Sequence, residues 1–207
     1  DHIALLRLFE DWLAARAKSS ESAAQFCRDN LVSDAALRSA VDVSQQYCDA
    51  LRQLGFISMA HRSGKADLGI DSVHDQNASQ LDLVMAVLTA GLYPNVVRVQ
   101  YPEQRFQQTL TGTVAKAPES HLIRYYRSDG HRVFLHPSSV NFKSSSYKYP
   151  YLAYIEQRQT SKLFIYDSSV MPPYSLLMFA GRIDCLYDTN QVMVDKWLKL
   201  NVSGRVA

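Results

Sequence analysis

The hydrophobic period of this chain changes once, near Gly91 to Tyr93, and that change limits the fold more than any other feature. Before it, apolar residues recur at helical spacing; after it, they fall in short runs broken by turn residues. Helices gathered ahead of strands point to separate α and β modules rather than an alternating α/β sheet. The expected class is α+β: an N-terminal helical segment over residues 1–90, then a small β-barrel or sandwich over 91–207.

The helical part reads segment by segment. Leu5, Leu6, Phe9, Trp12 and Leu13 share one face of a helix over 2–17, with Asp1 as its expected N-cap and a break at Lys18-Ser19-Ser20. A shorter helix follows over 22–30, turning Phe26 and Cys27 inward. Ser33 caps a long helix over 34–54 that Gly55 ends; its expected core stripe is Leu37, Ala40, Val41, Ser44, Tyr47, Cys48, Leu51 and Leu54. Ser79 opens another helix, with Gly91 as the expected C-terminal cap. Between them, Ser63-Gly64-Lys65 lacks the preceding glycine and following hydroxyl residue of a phosphate-binding loop. His61 and His74 sit in a polar stretch with no metal-ligand spacing.

Strand candidates are 95–101, 108–115, 121–126, 132–135, 152–157, 163–170, 182–187 and 197–200. Pro102, Lys116-Ala117-Pro118, Ser128-Asp129-Gly130 and Ser144-Ser145-Ser146 separate them. Residues 149–181 are the informative stretch. Tyr151 to Ile155 and Leu163 to Tyr166 read as the arms of a hairpin, and Pro172-Pro173 stops the second arm. The link carries Arg158, Thr160, Ser161 and Lys162: two cations and two hydroxyls that suit phosphate or sugar contacts, or else a solvated hairpin tip.

Charge follows the same division. Residues 1–90 hold 8 Lys and Arg against 12 Asp and Glu; residues 91–207 hold 14 against 8, so the halves carry −4 and +6. Eleven of the 12 tyrosines lie after Gly91. A basic, aromatic second half places any nucleic-acid face there. Cys27, Cys48 and Cys185 are odd in number, widely spaced and without a C-x-x-C, which fits a reduced, intracellular protein with buried thiols, cytoplasmic or nuclear. No apolar run reaches the roughly 20 residues of a membrane helix. Both ends read as cut from a longer chain.

Four segments in order resemble the C-terminal region of DEAH-box RNA helicases. Asp1-His2-Ile3-Ala4-Leu5-Leu6, with Trp12, looks like the family's S-D-H-L-A-L-L…W helix. Phe26-Cys27-Arg28-Asp29-Asn30, then Ser33, Leu37 and Gln46, looks like its F-C-x-x-N-F-L-S…L…Q segment, with Leu31 where the family has Phe. Ala90-Gly91-Leu92-Tyr93-Pro94-Asn95-Val96 looks like its A-G-L-Y-P-N-V entry to the barrel. Val133 to Asn141, then Thr160-Ser161-Lys162 and Leu176-Leu177-Met178-Phe179, looks like V-x-x-H-P-S-S-V…T-S-K…L-L-x-F-G-G, with Ala180-Gly181 replacing Gly-Gly.

The resemblance implies a ratchet-type helical bundle segment followed by an OB-fold-like β-barrel that helps form a channel for single-stranded RNA. The motor motifs G-x-x-x-x-G-K-[ST] and D-E-A-H are absent from this sequence, so no catalytic residue is expected here, and ATP and magnesium belong to the motor domains of a parent chain. The expected RNA-binding set is Arg158, Thr160, Ser161 and Lys162, a second polar cluster of His136, Ser138 and Ser139, and outer cations Arg124, Lys143 and Lys148. His136 and the two serines read equally as local turn partners, and Tyr149, Tyr151 and Tyr154 as core. The alternative expectation is a protein-docking module for a G-patch activator or a ribonucleoprotein, using the Met171-Pro172-Pro173-Tyr174 turn.

Overall fold

The computed structural model describes residues 1–57, 76–102 and 119–201, with the backbone of two strands at 106–109 and 112–115. His61, His74 and Ser63-Gly64-Lys65 lie outside the described residues. The chain divides into two compact units, one of Ile3–Gln80 and one of Asp1–His2 with Leu81–Ala207. This division differs from the expected 1–90 and 91–207.

In the helical unit, α1 (His2–Lys18), α2 (Ser20–Asp29) and α3 (Asp34–Gln53) enclose Trp12, Ala23, Cys27, Leu37 and Val41. Trp12 is fully buried and stacks on Phe9 at 6.1 Å. Its indole N–H donates to Asp34 at 3.2 Å, so the one polar atom of the core's largest side chain is satisfied. Ser19 and Ser33 cap α2 and α3 by accepting from Ser22 N and Ala36 N. Gly55, at φ 81°, ends α3: Gly55 N donates to Arg52 O and Phe56 N to Leu51 O, the pairing that a left-handed residue allows. The expected stripe is only partly core. Leu37, Val41 and Cys48 are buried, whereas Tyr47, Leu51 and Leu54 are exposed.

In the second unit, β1 (Val96–Gln100), β4 (Arg124–Tyr126), β5 (Arg132–Leu135), β6 (Tyr151–Gln159) and β7 (Leu163–Val170) close into a barrel in the cyclic order β1-β4-β5-β7-β6. All pairs are antiparallel except β5–β7. This is a closed five-stranded barrel consistent with the expected OB-fold. Val97, Val99, Ile123, Tyr125, Val133, Leu135, Leu152, Tyr154 and Ile165 fill its interior. Tyr151 and Tyr154 are buried, as their core reading expected.

One residue resets the alternation of β7. Asp167 holds φ 50°, and the inward set changes there from Leu163 and Ile165 to Ser168 and Val170. Asp is among the few non-glycine residues that tolerate this backbone.

Several local expectations need correction. The single strand over 108–115 is a hairpin of β2 (Phe106–Thr109) and β3 (Gly112–Ala115). The strand over 121–126 begins as a 3-10 turn, Ser120–Leu122. Gly91 lies inside α4 (Leu81–Leu92) and does not cap it. Pro172-Pro173 ends β7 but also starts α5 (Pro173–Phe179), because proline suits the first turn of a helix. A strand β9 (Gln191–Val194) joins β8 (Ile183–Leu186) to β10 (Leu198–Asn201) in a separate three-stranded sheet. Cys185 is exposed, not buried.

The boundary near residue 80 has a packing reason. α4 packs on α5 and β6, and Thr89 Oγ1 is buried, donating to Met85 O and lying 3.0 Å from Ser175 Oγ. Asp1 does not cap α1. Its carboxylate accepts from Ser139 Oγ, Val140 N and Ser168 N at 2.7–2.8 Å, inside the barrel unit. The first N–H of α1, that of His2, donates instead to Ser169 Oγ at 3.1 Å.

Candidate nucleic-acid interface

Because Val133, Leu135 and Ile165 point inward, Arg132 and Phe134 of β5 and Phe164 and Tyr166 of β7 point outward, and His136 follows directly after β5. The parallel pairing sets Phe134 beside Phe164, with ring centroids 6.1 Å apart. β6 adds Arg158 beside Phe164 and Glu156 beside Tyr166. The barrel wall therefore carries a patch of half-buried rings edged by cations.

The rings hold the cations. Lys162 Nζ lies 4.6 Å from the Phe134 centroid and Arg132 Cζ 4.7 Å from the same ring. Arg158 Cζ lies 5.2 Å over Tyr166. Each contact draws the cation to the negative face of its ring. Neither Lys162 nor Arg132 has a carboxylate partner among the described residues. Their charge is held in place with no carboxylate among the described residues to neutralise it, which suits a polyanion.

Arg158 differs. Its Nε and Nη2 reach the Glu156 carboxylate at 2.6 and 3.0 Å. Hydrogen bonding from Arg158 holds the Glu156 carboxyl below the usual carboxylate range, and the same bond raises the guanidinium. Both groups are exposed, so the pair adds little to stability. It does place a negative charge on the patch.

Thr160 and Ser161 form the exposed tip, closed by Thr160 N to Lys162 O at 2.9 Å. His136 stacks on Tyr166 at 4.2 Å and 26°, and meets Phe164 edge-on at 6.0 Å. Ser138 N donates to His136 Nδ1 at 3.2 Å, so in the neutral ring Nε2 carries the proton. Ser138 Oγ lies 2.7 Å from the same Nδ1, at the edge of the patch. The structure thus brings together Arg158, Thr160, Ser161, Lys162, His136 and Ser138.

The remaining expected residues stand apart. Ser139 is buried at 8% exposure, donating to Asp1 and accepting from Asn141 N, so its hydroxyl is committed inside the fold. Lys148 pairs with Asp82 at 3.1 Å and lies over Tyr149. Arg124 lies on β4 opposite Gln100, and Lys143 is exposed in the turn after Pro137. Sequence reasoning missed Arg132, Phe134, Phe164 and Tyr166. The period of two carried the signal: once Val133, Leu135 and Ile165 are inward, their neighbours are outward.

Residues 84–183 match the family described as the oligonucleotide/oligosaccharide-binding (OB)-fold. DHX57 of Mus musculus is 34% identical over 191 residues, 87% of this chain and 14% of that protein. DExH1 of Arabidopsis thaliana, named a DExH-box ATP-dependent RNA helicase, is 32% identical over 183 residues, 88% of this chain and 16% of that protein. DHX36 of Homo sapiens, named an ATP-dependent DNA/RNA helicase, is 26% identical over 209 residues, 100% of this chain and 19% of that protein. The chain thus spans no more than 19% of the length of these relatives. Fold and matches define the class as a helical segment joined to an OB barrel. The matches reach across the chain and fit a C-terminal region of a DEAH-box helicase.

Proposed function

We propose that the barrel grips single-stranded RNA by its backbone, largely without sequence preference, beside the motor domains of a longer helicase. The observation that carries this is the outward patch of β5, β6 and β7, where aromatic rings hold Arg132, Lys162 and Arg158. Cations fixed on rings lose little freedom when they meet phosphates, and exposed ring edges and guanidinium planes offer stacking without base readout. In this reading Thr160 and Ser161 donate to phosphate oxygens or a 2′-hydroxyl. ATP hydrolysis, with magnesium, takes place in the motor, inside the cell.

The test is fluorescence anisotropy of a labelled oligouridine RNA titrated with the chain at several salt concentrations. Affinity falls steeply with salt, and Lys162→Ala and Arg132→Ala each reduce the log–log slope by about 1. A folded chain that leaves the RNA free at low salt sinks the reading.

A protein-docking role keeps one observation in its favour. Met171 and Pro172 are buried, so the expected turn offers only its far end. Met178, Phe179, Ile183 and Tyr187 are exposed instead, and they suit contact with the motor, a G-patch activator or a ribonucleoprotein. Tyr187→Ser with Met178→Ser should weaken such a complex in a pull-down and leave RNA anisotropy unchanged.

A further inference from the structure

Next to the patch, the outer face of β1 and β4 carries a groove of about 420 Å³, within the size range of small-ligand sites. Arg98, Gln100, Tyr126, Arg127 and Trp197 line it, with the Ser128–Gly130 turn. Arg98 and Gln100 point outward from β1, since Val97 and Val99 fill the core. Tyr126 points outward from β4, since Tyr125 is inward.

Two features make it a built site. Trp197 is presented by the turn between β9 and β10, where Asp195 and Lys196 both hold positive φ, 48° and 65°. Asp195 fixes that turn by accepting from Arg182 N at 2.6 Å, from Gly181 N and from the Tyr93 hydroxyl. Arg127 is fixed too, donating to Gln157 at 2.9 Å and pairing with Asp129 at 3.1 Å. Arg98 has no carboxylate partner among the described residues. An indole and a phenol thus stand beside one anchored guanidinium and one unneutralised one. Trp197 follows residue 183, the last of the matched OB family stretch.

The groove is continuous with the patch. Arg98 pairs across strands with Tyr126, and Tyr126 with Arg132, the residue that lies over Phe134. Neighbouring strands are about 4.8 Å apart, so roughly 10 Å separates the Arg98 and Arg132 backbones. A single strand crossing the patch reaches the groove without leaving the barrel wall.

We infer that this groove receives one unstacked nucleobase of the single strand held by the β5–β7 patch, its ring against Trp197 and Tyr126 and its flanking phosphate on Arg98. RNA bases in single strands stack on aromatic rings and on arginine planes, and this groove supplies both. The inference rests on the proposed single-strand grip.

The chain carries its own probe, because Trp12 and Trp197 are its only tryptophans and Trp12 is fully buried. Titration with oligouridine RNA should quench tryptophan emission in step with the anisotropy of a labelled strand. Trp197→Leu should abolish the quench and weaken binding about 5- to 150-fold. Far-UV circular dichroism and the tyrosine emission of the barrel report whether that variant is folded. Arg98→Ala, at an exposed side chain, should lower the salt slope by about 1 and keep the emission of the free protein. RNA binding with steep salt dependence but unchanged emission would overturn the groove and leave the grip standing, as would undiminished affinity in both variants. Absence of RNA binding at low salt would remove the grip and the groove together.

Discussion

At the scale of single residues, charge placement separates function from stability. Glu156 occupies the Arg158 guanidinium and adds a negative charge to the patch on which the proposed RNA grip rests. Glu156→Gln should therefore tighten RNA binding several-fold and steepen its salt slope by about 1, read by the same anisotropy titration. Trp12→Ala removes a fully buried ring and should cost the helical unit about 3–5 kcal/mol, measured by denaturant unfolding. Asp34 couples that unit to pH. The hydrogen bond from Arg38 comes first among the causes that hold its carboxyl below the usual range, and Trp12 adds to it. A carboxyl depressed in the folded state contributes stability that is present above its unfolded pKa of about 3.9 and lost as pH falls through the folded value. Asp34→Asn should flatten that acid limb in thermal melts.

At the scale of elements, β7 depends on one backbone. Asp167 lets the strand fill the core with Leu163 and Ile165 at one end and with Ser168 and Val170 at the other, while Phe164 and Tyr166 face out. Asp167→Gly should be tolerated. Asp167→Val forces a β-branched residue into left-handed space and should cost about 1–2 kcal/mol by chemical denaturation.

The helices α1 to α3 and strands β5 and β7 were legible in the sequence because their periods and caps are local. α5 was hidden by Pro172-Pro173, which reads as a strand stop although Pro173 also suits a helix start. β9 reads Gln191-Val192-Met193-Val194, an apolar run without alternation. The Thr160 to Lys162 tip was legible as a polar link between apolar runs. The commitment of Ser139 and Lys148 was not, because their partners Asp1 and Asp82 lie 138 and 66 residues away. Pairings at that range are set by the closed barrel and leave no local pattern.

At the scale of the whole molecule, the proposed grip falls within one of the two compact units. The aromatic and cationic patch and the groove belong wholly to the barrel unit, and neither draws on Ile3–Gln80. Changes in the helical core should shift unfolding of that unit while the barrel keeps its RNA titration. Among the described residues no helix is long and apolar enough to cross a membrane.

The tie between Asp1 and Ser168 joins positions 167 apart, and the whole helical unit lies between the two parts of the barrel unit. Contacts of such sequence separation form slowly, because the intervening chain must be gathered before they reward it. Stopped-flow refolding should show helical ellipticity recovering ahead of the barrel tyrosine signal. Asp1→Ala should leave the early phase alone and hasten the barrel's unfolding. The nested unit should thus reach its final form before the module that encloses it in sequence.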